Sequence, residues 1–207
     1  MFLQIFALNL SAPFIAQFFK TQLEQVIPYC DIIIGNEAEA EAWASATGLS
    51  EPKDLKAVAK AMALLPKTNA SRPRTVVFTQ GAQSTIVVTT DAPDKAQVFP
   101  VQALANEEIV DTNGAGDAFA GGFLGALVAG KSLEESVEVG HAMGAMCVRQ
   151  ASRSFGLFRG FNDERLNPPG RASIPMAQSG GPVKILPPHV SHLLYIPPIA
   201  LHSDTIR

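Results

Sequence analysis

The chain has 207 residues, the length of one domain or of one domain with a tail. Apolar residues make up 47% and charged residues 17%, which supports a buried core and excludes a wholly disordered chain. A net charge of −3 and a pI near 5.8 leave no electrostatic footprint for nucleic acid.

The first nineteen residues, Met1 to Phe19, are apolar, but no Lys or Arg precedes Lys20, and Asn9, Ser11 and Pro13 interrupt the run. Neither the charged start of a secretory signal nor a membrane span is present in that pattern. The cysteines, Cys30 and Cys147, lack metal-ligand spacing and read as buried, reduced cytosolic thiols.

Gln4 to Leu10 reads as a buried strand and Phe14 to Gln25 as the helix that follows it. Asp31 to Ile34 is a short continuous apolar run, the pattern of a strand covered on both faces. Asn36 opens an Ala-rich helix through Ala46, ended by Gly48. Pro52 to Leu65 is a second helix, with Leu55, Val58, Ala59, Met62 and Leu65 at helical spacing. Thr75 to Thr79 is a β-branched run closed by Gln80-Gly81. Thr85 to Thr89 and Gln97 to Val101 follow closely and predict an antiparallel or mixed portion of the sheet. Gly114 to Ala129 and Ser132 to Val148 read as two consecutive helices. Strands alternating with helices define an α/β domain with a mostly parallel sheet between helix layers. Beyond about Gln150 periodicity is lost, and eight of the fifteen prolines lie between Pro168 and Pro198. The expected domain is 1–150, followed by a Pro/Gly-rich, disordered tail over 151–207.

The run Asp111-Thr112-Asn113-Gly114-Ala115-Gly116-Asp117 carries the chemistry. Gly114 and Gly116 remove side chains, so backbone N–H groups can converge on an anion, and the helix starting there adds the positive end of its dipole. Such a loop suits the charge that develops on a transferring phosphoryl group. Asp117, in the first turn of that helix, can take the proton of an attacking hydroxyl and orient it.

Gly125-Ala-Leu-Val-Ala-Gly130-Lys131-Ser132 matches a P-loop letter for letter. It continues a helix instead of following a strand, and its Ala-Leu-Val-Ala interior prefers helix. Gly130 reads as a helix C-cap, and Ser132 with Glu135 as the capping box of the next helix. The match is therefore set aside.

The 111–117 run with the following Ala-Phe-Ala-Gly-Gly-Phe resembles a signature of the ribokinase-like (PfkB) carbohydrate and nucleoside kinases. Asn9-Leu10-Ser11-Ala12-Pro13-Phe14, Gly35-Asn36-Glu37-Ala38-Glu39-Ala40 and Phe78-Thr79-Gln80-Gly81 resemble its nucleoside-phosphorylating members. The resemblance covers about residues 5 to 149. It implies a ribokinase-like fold of which this chain is the C-terminal portion, without the N-terminal strands and lid. It implies Asp117 as catalytic base and Gly114, Ala115 and Gly116 as the anion hole. Asn113 and Phe14 would bind the nucleoside, and Thr79, Gly81 and His141 would bind ATP. Asn36 and Glu39 match an Asn-x-x-Glu motif that organises Mg²⁺ through water, while the same residues also form a helix N-cap and its capping-box partner.

The implied partners are adenosine and ATP, with Mg²⁺ as cofactor, in a monomer of the cytoplasm and also the nucleus, serving purine salvage. A sugar acceptor and a catalytically impaired nucleotide-binding fragment remain the alternatives. Because the early strands and lid of the family are lacking, a weakly active or inactive chain is expected.

Overall fold

The computed structural model describes residues 4–150. The expected disordered tail at 151–207 lies outside the described residues, as do Met1 to Leu3. Five strands form one mixed sheet in the order β1-β2-β3-β4-β5: Ala7–Asn9, Ile32–Asn36, Thr75–Thr79, Ser84–Thr89 and Gln97–Pro100. The first three run parallel; β4 pairs antiparallel with β3 and β5 antiparallel with β4, as the close spacing of the last three runs predicted.

The apolar runs of β2, β3 and β4 are buried on both faces, and their period of two sorts them into two cores. Ile33, Val76, Phe78, Ile86 and Val88 face one core, shared with Ala16, Leu23, Trp43, Val58 and Met62 from helices on that side. Ile32, Ile34, Val77 and Val87 face the other, with Phe119, Ala120, Phe123 and Val137. The first layer holds α1 (Pro13–Phe18), α2 (Lys20–Val26), α3 (Glu37–Thr47) and α4 (Leu55–Ala63). The second holds α5 (Ala115–Val128) and α6 (Leu133–Val148).

Two expectations are corrected. The strand expected over Gln4 to Leu10 is paired only over Ala7–Asn9, and its residues are half-buried at the sheet edge. It begins late because Phe6 N–H donates to the Asp31 carboxylate (2.9 Å), while the Phe6 carbonyl accepts from Asp31 N–H (2.8 Å). The single helix expected over Phe14 to Gln25 is two. Phe19 adopts φ −120°, ψ 31°, which lets α1 pack on α3 while α2 turns to bury Leu23. α3 and α6 begin where their caps placed them, whereas α4, expected over Pro52 to Leu65, spans Leu55–Ala63. The Asp54 carboxylate accepts from Lys56 and Ala57 N–H at the start of α4, Ser132 and Glu135 form a capping box on α6, and Gly48 ends α3 at φ +79°.

Arg74 is 0% exposed and pairs with no carboxylate among the described residues. Its guanidinium donates to six backbone carbonyls: Nε to Cys30 (3.2 Å), Nη1 to Met62 (3.1 Å), Ala63 (3.5 Å) and Leu65 (2.7 Å), and Nη2 to Ile27 (2.9 Å) and Pro66 (3.0 Å). These are carbonyls at and beyond the end of α4 and around the short 3₁₀ turn at Ile27–Tyr29, the groups a helix leaves without an internal partner. Burial lowers the Arg74 pKa, and the nearby Cys30 and Asp31 oppose that shift. Asp31, also buried, is bridged to Lys67 Nζ (2.7 Å) and Arg72 Nε (3.6 Å). The Ile27, Met62 and Ala63 carbonyls also accept from Cys30 N–H, Leu65 N–H and Thr90 Oγ1, so truncating Arg74 would leave those of Cys30, Leu65 and Pro66 without their donor. Arg74→Met is expected to lower the free energy of unfolding in urea by about 3–5 kcal/mol; a loss below about 1 kcal/mol would show that the carbonyls find other donors.

Candidate active site

The C-terminal ends of β2 and β3 lie side by side, with Asn36 in register with Thr79. From this edge a cavity of about 500 Å³ extends towards the start of α5 and one face of α6. Asn36, Thr79, Gly81, Ala115, Gly116 and His141 line it, so one space gathers six of the residues singled out from the sequence. Its walls are mainly apolar, and include Val101, Leu104, Phe119 and Val148.

At the mouth of α5 the chain turns through Gly114 at φ +77°, a conformation that disfavours any residue with a Cβ. No side chain caps this helix; Ala115 N–H donates to the Thr112 carbonyl (3.3 Å), and the N–H groups that follow in the first turn are left for a ligand. Asp117 lies in the first turn and is exposed. Asn113 is exposed, and its N–H donates to Asp111 Oδ1 (2.9 Å). Gly114, Asn113 and Asp117 flank the cavity without lining it.

Asn36 and Glu39 form the capping box of α3. Glu39 N–H donates to Asn36 Oδ1 (2.9 Å), Asn36 N–H to Glu39 Oε2 (3.0 Å), and Asn36 Nδ2 to Glu39 Oε1 (2.8 Å). Both Glu39 oxygens are therefore occupied. Burial raises the Glu39 pKa, the Asn36 backbone N–H opposes this, and the charges of Asp117 and Glu37 add to the rise. Among the described residues no group of three His, Cys, Asp or Glu could enclose a metal ion. This donor set suits a cation that keeps its waters and is approached through them.

Thr79 and Gly81 stand at the β3–β4 turn, where Gly81 has φ +50° and Thr79 Oγ1 donates to the Gly35 carbonyl (3.4 Å). His141 is half-buried on α6, with Nε2 2.8 Å from Thr85 Oγ1 and its ring 5.6 Å from that of Phe119. Burial lowers its pKa below the ordinary 6.5, so it is neutral at pH 7. In the sequence Thr85 reads only as the start of a strand and Phe119 only as part of the signature after Asp117, so neither acquires a role in the site there.

Phe14 is apart from the cavity, 53% exposed on α1. It follows Ser11, whose φ of +63° is unusual for a residue with a Cβ and is held by Asn9, whose Oδ1 accepts from Ser11 N–H (3.1 Å). Lys131 of the P-loop-like string pairs with Glu135 (3.0 Å) on the surface beyond α5, and Ser132 caps α6. No residue of that string lines the cavity.

A mixed α/β sheet with helices on both faces, and a glycine-opened helix mouth at the end of a large cavity, define a ribokinase-like fold. The chain belongs to the pfkB family of carbohydrate kinases, whose pattern matches residues 2–157. It is 58% identical over 150 residues to the adenosine kinase of Schizophyllum commune, covering 72% of this chain and 44% of that protein. Identity to the adenosine kinase of Schizosaccharomyces pombe is 44% over 152 residues, again covering 44% of the relative. In three dimensions it is similar to Anopheles gambiae adenosine kinase in complex with P1,P4-di(adenosine-5) tetraphosphate. That likeness has a TM-score of 0.71 and 39% identity, over 76% of this chain and 46% of the other. The chain thus spans less than half the length of these relatives.

Two outcomes are expected. Because the folded-state pKa of His141 is depressed, the unfolded chain holds the extra proton as pH falls below about 6.5. Stability is therefore retained above that pH and declines below it. Urea midpoints between pH 7.5 and 5 should fall, and His141→Gln should remove part of that slope. Lys131→Ala should leave ATP affinity unchanged by calorimetry; a loss of about tenfold or more would restore the P-loop reading.

Proposed function

We propose that the chain derives from an adenosine kinase and carries the ATP-binding and phosphoryl-transfer half of its site. The observation that supports this best is the single cavity that joins the Asn36–Thr79 strand ends to the open N-terminus of α5. The relatives are adenosine kinases, and the Anopheles enzyme is in complex with a molecule that joins two adenosines through four phosphates.

In this reading ATP lies in the cavity, with its base among the apolar wall and His141, and Thr79 and Gly81 along its length. The γ-phosphate reaches the N–H groups of Gly114 to Gly116. The 5′-hydroxyl of adenosine attacks phosphorus, the new O–P bond forms as the bond to the β-phosphate oxygen breaks, and ADP leaves. Asp117 accepts the hydroxyl proton as the bond forms. Asn113 and Phe14 hold the nucleoside. Asn36 and Glu39 would hold Mg²⁺ through water, and the ion would supply neutralising charge to the phosphates.

The exposure of Asp117 and Phe14 leaves the acceptor side open to water, which supports weak turnover by this chain. The test is formation of AMP from ATP and adenosine by the purified 207-residue protein, with ribose as competing acceptor and ATP binding measured separately. Binding of ATP with slow AMP formation is expected, and Asp117→Ala should cut turnover by about 100-fold or more while ATP affinity stays within about threefold. Preference for ribose would favour the sugar-kinase reading, and turnover that survives Asp117→Ala would sink the assignment of the base.

A further inference from the structure

The 111–117 run has little to hold it from its own side. Gly114 offers no capping side chain, and Thr112 to Asp117 are largely exposed. Its local bonds are Asn113 N–H to Asp111 Oδ1 and Ala115 N–H to the Thr112 carbonyl (3.3 Å). Yet backbone donors can stabilise a transferring phosphoryl group only if they are already in place.

The missing restraint comes from the end of α6. The Val148 carbonyl, among the last four of that helix, accepts from Val110 N–H (2.9 Å) and Asp111 N–H (3.2 Å). Cys147 Sγ donates to the Asn113 carbonyl (3.5 Å) and lies 3.7 Å from where a Gly114 Cβ would be. Arg149 Nε donates to Glu108 Oε1 (3.1 Å), and Nη2 is ion-paired with the same oxygen (3.0 Å). The other Glu108 oxygen accepts from Ala105 N–H (3.0 Å), so this carboxylate also closes the short turn before the loop. Three consecutive residues of one helix end thus hold the approach to the loop and its first turn at Glu108, at Val110 and Asp111, and at Asn113.

The helix that does this is itself fixed against α5. A Cβ at Gly140 would come within 2.7 Å of the Phe119 ring, and one at Gly122 within 2.7 Å of Met143 Cγ. The α5–α6 pair therefore packs at a separation that only glycine allows at these points. The loop is spliced between two elements with a set spacing.

We propose that the C-terminal turn of α6, through Cys147 and the Arg149–Glu108 pair, positions the phosphate loop, so that these are positioning residues for phosphoryl transfer. The proposal rests on reading the 111–117 run as the phosphate loop. In that role the clamp governs contacts to the outer phosphates of the nucleotide. Contacts to its base are made by the cavity wall, which the side chains of Cys147, Arg149 and Glu108 do not line.

Two measurements on the 207-residue protein test this. Amide hydrogen exchange needs no ligand. Arg149→Ala and Cys147→Ala should speed exchange over 110–117 while the paired strands 75–89 are unaffected, and Arg149→Lys and Cys147→Ser should restore it. Calorimetry should then show ATP affinity reduced about two- to fivefold in the alanine variants, with AMP affinity unchanged. Unchanged exchange, or equal losses for ATP and AMP, would overturn the proposal, the latter because it marks a general loosening of the fold. A wild-type chain without affinity for ATP would instead sink the kinase reading, and the exchange comparison would still decide whether the clamp exists.

Discussion

A guanidinium cannot lose its charge in the protein interior, so wherever Arg74 is buried the chain must bring acceptors to it. Here the acceptors are six main-chain carbonyls, drawn from the end of α4, the loop beyond it and the chain leading into β2. Arg74 immediately precedes β3. Its demand for acceptors therefore ties the N-terminal ends of two parallel strands to the helix ends beside them. The Asp31 carboxylate extends the tie to Phe6 before β1 and to Lys67 and Arg72. Parallel pairing then propagates that alignment five residues along, and Asn36 arrives opposite Thr79 at the edge of the cavity. The register of the site is set at the far end of the sheet.

At the near end the governing feature is electrostatic asymmetry. The open N-terminus of α5 carries partial positive charge, and no side chain caps it. Around it stand Asp117 and the buried Glu39, whose carboxyl is pushed towards its neutral form by burial and by the charge of Asp117. An anion at the helix mouth and a hydrated cation between it and Glu39 would satisfy both tendencies at once. That would match the charge arrangement of a nucleoside triphosphate with its metal ion, as the proposed function requires.

Much of this was legible from residue order because it is local chemistry. The capping boxes at Asn36–Glu39 and Ser132–Glu135, the left-handed Gly48 and the helix beginning after Gly114 each depend on residues within a few positions of one another. The continuous apolar runs of β2 and β3 likewise announced strands covered on both faces. What misled was also local. Phe14 to Gln25 has an uninterrupted helical pattern, and only the competing needs of packing on α3 and burying Leu23 break it at Phe19. Gly125 to Ser132 spells a P-loop, but its helical pattern already sets that match aside, and its first four residues complete α5.

The sequence alone determined the family chemistry, since the glycines, the acid and the Asn-x-x-Glu pattern occupy short stretches whose geometry follows from adjacent backbone. Tertiary structure decided which of those residues share a space. It brought Asn36, Thr79, Gly81, Gly116 and His141 to one cavity and left Phe14 outside it. It also decided how the site is held, because the carbonyls around Arg74 and the one at Val148 belong to the main chain, which every residue possesses. A carbonyl acceptor leaves no mark in a sequence, so the interactions that position this site could be found only once the chain was folded.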